Sequence, residues 1–237
     1  VSRALFFRNQ GNYLPINSFR GDFCYYICAL KMEEQEQDII NCALGMFSKF
    51  GLRSVTMDDV ARELGISKKT IYKYFENKAD LIQKAVQTVH DAIQQTLEEI
   101  HQRSTNPIDE LIEIDSVVCE IMKRHNPSLR YQLQKYYPRT YNYMYEGRHR
   151  LIHKMIRENI EMGQKGGWYR KDASKEVISF LYCAKVETIP EEEEEIFANF
   201  EMPFIMNQAL LYHIRGVASP KGLTYLEEKL KDTKPTE

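Results

Sequence analysis

From residue 33 onward the apolar positions step by three and four, the period of helices that bury one face. Ile39, Ile40, Ala43, Leu44, Phe47 and Phe50 make the first such face, and Gly51 follows where a helix end favours a residue able to turn left-handed. A second helix starts at Thr56, whose hydroxyl can cap it, and Asp59 stands where a T-x-x-D capping box needs it. Met57, Val60, Ala61 and Leu64 form its inward side, and Gly65 ends it. Ile66 fills the corner, and Ser67 caps a third helix over 68–75 with Ile71 and Phe75 pointing in. Asn77 then caps a fourth helix, about 78–103, with Asp80 in its first turn and an apolar stripe of Leu81, Ile82, Ala85, Val86, Val89, Ile93 and Leu97.

The helical period continues. Pro107 opens a helix with Leu111, Ile114, Val118 and Ile121 on one face, and Asn126-Pro127 breaks it. A short helix over 127–138 precedes a long one over 139–163, where Tyr141, Tyr145, Leu151, Ile152, Met155, Ile156 and Ile160 are candidates for burial. Tyr141, Tyr143 and Tyr145 alternate as a strand would, but the run is short and its flanks are helical. Gly163, Gly166 and Gly167 close the long helix; Asp172 is expected to cap the next, which carries Val177, Ile178, Leu181 and Ala184. The acidic run at 190–195 reads as a solvated loop and helix start. In the last apolar stretch, 196–217, Pro203 either kinks the helix or marks its beginning. The pattern predicts an all-α protein: a three-helix N-terminal helix-turn-helix domain over 32–78, then a larger helical domain over 79–237. Residues 1–31 show no clear period and begin with Val1; they read as an N-terminal extension outside the fold, or as sequence upstream of a start at Met32.

Charge sharpens this picture. The 237 residues carry a net charge of −2, so the molecule as a whole is no general binder of polyanions, and any contact with nucleic acid must come from a local patch. Such a patch exists: between 67 and 78, Lys68, Lys69, Lys73 and Lys78 stand against Glu76 alone. The five cysteines (Cys24, Cys28, Cys42, Cys119, Cys183) form neither an even framework nor a C-x-x-C pair, which points to a reducing compartment. No apolar run approaches the roughly 20 residues of a membrane span, and a cytoplasmic location is expected. Nucleotide-binding and nucleophile-elbow motifs are missing. His149 and His153 have the spacing of two metal ligands, but no further donor completes a set and Arg148 and Arg150 oppose a cation. No catalytic residue, metal or cofactor is expected.

Helix, glycine turn and short second helix over 56–75 have the spacing of a helix-turn-helix. The second helix leaves Lys68, Lys69, Thr70, Tyr72, Lys73 and Tyr74 for its outer side, where cations and hydroxyls reach phosphates and base edges of a major groove. The stretch 55–86, "VTMDDVARELGISKKTIYKYFENKADLIQKAV", resembles the DNA-binding domain of the TetR family of bacterial transcriptional regulators. The likeness lies in T-M-x-x-V-A, G-I-S at the turn, T-I-Y-x-Y-F in the second helix and N-K-x-x-L opening the next. It is dense over about 33–90 and thinner beyond, at "LQKYYP" (133–138), "GQKGGWYRKD" (163–172) and "YHIRGVASPKGLTYLEEKL" (212–230).

The resemblance implies roles. Thr56 and Lys78 would hold backbone phosphates, Lys68, Lys69 and Thr70 would face base edges, and Tyr72 and Tyr74 would touch a phosphate or a thymine methyl, with Lys73 beside them. Tyr74 departs from the family, many of whose members carry His there. The resemblance also implies a repressor that binds a palindromic operator in double-stranded DNA as a homodimer, through helices near 173–187 and 200–216. A small apolar effector would release it by favouring a different separation of the recognition helices, through the fourth helix; Tyr137, Tyr141 and Trp168 are the first candidates to line its site. A regulator without a small-molecule effector, constitutive or controlled by a protein partner, fits the sequence as well.

Overall fold

The computed structural model describes residues 34–123, 126–188 and 200–232, and every regular element among them is a helix. The extension 1–31 and the acidic run 190–195 lie outside them. Packing divides the helices into two units.

The first unit holds α1 (Glu34–Phe50), α2 (Met57–Glu63), α3 (Lys68–Tyr74), α4 (Lys78–Arg103) as far as Glu98, α6 (Pro127–Tyr136), and α7 (Pro138–Lys165) as far as Leu151. Its core is the one the period announces: Ile39, Ile40, Ala43, Phe47, Met57, Val60, Ala61, Ile71, Phe75, Leu81, Ile82 and Ala85 are buried together. Phe50, the last residue of α1, is the exception on the first face, at 52% exposed. Leu133 of α6 is buried in the same core, with Tyr137, Tyr141 and Met144 packed against it.

Local chemistry fixes the corner between α2 and α3. Thr56 and Asp59 form a complete capping box. At the other end Gly65 takes φ +65, Ile66 N–H reaches Ala61 O at 3.0 Å and Gly65 N–H reaches Arg62 O at 3.1 Å. This is a full Schellman closure, and it requires the left-handed residue that glycine supplies. Ser67 caps α3 by accepting from Thr70 N at 3.1 Å, and Asn77 caps α4 by accepting from Asp80 N at 3.1 Å.

The second unit comprises α4 from Glu99, α5 (Pro107–Lys123), α7 from Ile152, α8 (Lys175–Thr188), α9 (Met202–Val217) and α10 (Pro220–Asp232). Ile108, Leu111, Ile156, Ile160, Tyr169, Leu210, Ile214, Val217 and Leu226 make its core. Pro203 lies in the first turn of α9, so it marks a beginning and makes no kink. Ser174, not Asp172, caps α8: its Oγ accepts from Val177 N at 3.3 Å, while Asp172 stays exposed beside Arg170. Gly163 sits inside α7 because the Tyr169 ring lies across it; a Cβ there would be 2.0 Å from Tyr169 Cδ2. That ring carries a buried network: Tyr169 OH donates to Asn159 Oδ1, Asn159 Nδ2 donates to Glu110 Oε2, and His101 Nδ1 lies 2.7 Å from Glu110 Oε1.

Candidate nucleic-acid interface

The α3 helix has seven residues, too few to be stable alone, so its position depends on its anchors. Ile71 and Phe75 are fully buried in the first core, and Tyr74 packs partly against it. With those side chains turned inward, Lys68, Lys69, Tyr72 and Lys73 are left exposed. Burial on one side thus dictates charge on the other, and the helix presents cations and a phenol along its outer surface.

Each expected contact residue has a definite place. Thr56 is exposed at the start of α2, and its hydroxyl donates to Asp59 Oδ2 at 2.7 Å while accepting from Asp59 N at 3.1 Å. The Thr56 hydroxyl and then the Thr56 N–H, both donating to the Asp59 carboxylate, hold it below the usual carboxylate range. Lys68 is not solvated alone: its Nζ lies 2.9 Å from Asp58 Oδ1, and the hydrogen bond to that carboxylate raises its pKa. The same ammonium sits 5.9 Å from the Tyr72 ring centroid. Thr70 shares a 2.8 Å hydrogen bond between hydroxyls with Ser67. Tyr74 OH donates to Gln35 Oε1 of α1 at 2.9 Å, so this phenol is held by the protein. Lys78 Nζ donates to the carbonyl of Arg53 at 3.2 Å, and burial lowers its pKa. Thr56, the residues of α3 and Lys78 all belong to the first unit.

The three effector candidates divide between the units. Tyr137 and Tyr141 pack partly against the first core, and burial raises the Tyr137 pKa. Trp168 packs against the second core, with Lys221 Nζ 3.8 Å from its ring centroid and the Tyr225 ring edge-on at 5.3 Å. Three further participants carry no local signal in the sequence. Asp58 is the internal partner of Lys68; Gln35 is that of Tyr74; Arg53 accepts from Lys78 through its backbone and stacks on Tyr136. Only the crossing of the helices reveals these pairs, which are separated by 10 to 83 residues along the chain.

Comparison with known proteins agrees with this geometry. Residues 39–85 match the family described as bacterial regulatory proteins, tetR family. Over 157 residues, 65% of this chain, the protein is 25% identical to the HTH-type transcriptional regulator HbdR of Aromatoleum sp. (strain CIB). Over 75 residues, 32% of this chain, it is 28% identical to IcaR of Staphylococcus aureus (strain Newman), the HTH-type negative transcriptional regulator of the biofilm operon icaADBC. The matched parts span 66% and 40% of those relatives' lengths, less than two thirds of either. Among solved structures, a transcriptional regulator of the TetR/AcrR family from Thermobifida fusca YX-ER1 superposes with a TM-score of 0.62 at 16% identity, over 78% of this chain and 98% of that one. The fold is therefore shared beyond the matched segment, and over residues 39–85 the chain is similar to the TetR family of bacterial regulatory proteins.

Proposed function

We propose that the protein is a sequence-specific transcriptional regulator, a repressor that binds a palindromic operator as a homodimer in the cytoplasm and is released by a small apolar effector. The observation that carries this reading is α3: a short capped helix, pinned by Ile71 and Phe75, with Lys68, Lys69, Tyr72 and Lys73 on its open side. In that role Lys68, Lys69 and Thr70 face base edges, Tyr72 and Tyr74 touch a phosphate or a thymine methyl with Lys73 beside them, and Thr56 and Lys78 hold phosphates on either side. The part over 32–78 serves DNA binding, and the part over 79–237 serves effector binding and dimerisation. Support for repression comes from IcaR, named a negative regulator.

Dimerisation has its own support. In the single chain Val177, Phe180 and Leu181 of α8 are more than half exposed, as are Phe204 and Tyr212 of α9. Apolar side chains at this density on a surface mark a contact with another molecule. A second copy would also place two α3 helices on two half-sites about one DNA turn apart. Tyr137, Tyr141 and Trp168 remain the effector candidates, and the effector acts only so far as it binds two conformations unequally.

The test is selection of duplex DNA from a random library by the purified protein at near-physiological salt. Enrichment of an inverted repeat is the expected result. A folded, dimeric protein that enriches nothing, with and without small apolar compounds, overturns the proposal.

A further inference from the structure

Beside Lys78 lies a second group of cations and phenols, on α6. Residues 126–139 contain Arg130, Lys135 and Arg139 and neither Asp nor Glu, within a protein of net charge −2. Two side chains of α6 fasten the connection between α1 and α2. Gln132 Oε1 accepts from Arg53 N at 3.1 Å, and Tyr136 OH accepts from Arg53 NH1 at 3.1 Å. The Arg53 guanidinium also lies 4.8 Å from the Tyr136 ring centroid. Since the Arg53 carbonyl receives Lys78 Nζ, this one residue joins the start of α4 to α6.

The group continues outward. Lys135 Nζ lies 5.5 Å from the Tyr136 ring and 5.2 Å from the Tyr131 ring, and donates to Tyr131 OH at 2.9 Å. Gln132 and Tyr136 hold the connection. Tyr131 and Lys135 add nothing to that: Tyr131 is 57% exposed, and the bond between them joins two solvent-facing side chains. A lysine held between two phenol rings at the surface has already lost much of its rotamer freedom, so binding an anion orders it little further. Arg53 uses one of its guanidinium donors on Tyr136 and keeps others for a second acceptor.

We infer that Arg53, Tyr131, Lys135 and Tyr136 extend the DNA interface past the helix-turn-helix and hold the sugar–phosphate backbone that flanks each half-site. The inference rests on the DNA-binding reading. Charge and continuity choose the occupant: the row starts at the lysine assigned to a phosphate and runs on through cations and hydroxyl donors, the groups that contact backbone and carry no base code. Neither the recognition helix nor the family match at residues 39–85 includes α6.

The experiment uses the full chain and two duplexes. One is the inverted repeat from selection, trimmed at its ends; the other adds about ten base pairs of mixed sequence on each side, one helical turn. The wild type is expected to bind the longer duplex more tightly, with a slope of log affinity on log salt steeper by about one for each added phosphate contact. Lys135→Ala should lose that gain, and with it the extra fall in affinity of about threefold per contact between 50 and 200 mM salt, and Lys135→Glu should lose more. The deficit should be confined to the longer duplex, whereas Lys69→Ala weakens both. Equal affinity of wild type and Lys135→Glu on the longer duplex overturns the inference and leaves the DNA-binding reading intact. Failure of the wild type to bind either duplex overturns both.

Discussion

Thr56 and Lys68 show how a single side chain can serve two partners. The Thr56 hydroxyl spends its donor on Asp59, and Lys68 its charge on Asp58. The capping box was legible in the sequence because its members are three residues apart within one turn of helix. The Lys68–Asp58 pair was not, because it depends on how α3 crosses α2, and the chain offers several acids at similar separation. Exposed pairs of this kind contribute little to stability, so Asp58→Asn should leave the melting transition almost unchanged. It should tighten binding to all duplex DNA alike, as a shift of the binding curve at low salt that fades as salt rises; unchanged binding would separate Lys68 from the DNA. A buried acid behaves otherwise. Asp115 on α5 is raised to about 6, first by burial and against the pull of Lys185. The folded chain then keeps a proton that the unfolded chain releases, so stability is lost as pH rises from about 4 to about 6, by on the order of 2–3 kcal/mol. Urea melts across that window should show the decline in wild type and a flatter profile in Asp115→Asn.

Elements are more legible in the sequence than pairs. The bounds of α1 to α5 follow from caps and glycines, which act within a few residues, and from stripes whose period matches the helix. The start of α8 falls at Ser174 and not at the expected Asp172: two candidate caps stand two residues apart, and Ala173 is buried between them, leaving Ser174 at the helix. The role of α6 was invisible: Leu133 enters the core of α1 to α4, a contact set by the return of the chain and absent from any local period. Short α3 gives the sharpest element-level prediction. Ile71 is its deepest anchor, so Ile71→Ala should destabilise the first unit by about 2–5 kcal/mol and remove sequence-specific binding before helicity falls much. Circular dichroism and DNA titration on the same samples would decide; specific binding that survives the loss would show α3 seated by other contacts.

At the scale of the whole molecule, the all-α fold was legible, and the surface it exposes was only half so. The sequence shows that α8 and α9 are apolar; it cannot show that Phe180, Leu181 and Phe204 face outward, since an apolar residue on a helix suits a core or a contact equally. Leu181→Glu should convert a dimer to a monomer by light scattering, without lowering the melting temperature of the isolated chain, because the side chain is exposed there. A variant that remains dimeric would move the contact elsewhere. No helix among the described residues is long and apolar enough to cross a membrane.

The pairing of Lys68 with Asp58 reaches further than affinity. A regulator in a cell meets an enormous excess of irrelevant sequence, and each unproductive stop delays arrival at the right one. A carboxylate that already occupies the lysine competes with every phosphate it meets, whatever the base sequence. Irrelevant DNA, which offers charge alone, is therefore released sooner, while a cognate site adds base contacts that outlast the competition. Asp58 would thus shorten the search, and its loss would give a protein that binds better in a tube and finds its target more slowly in a genome.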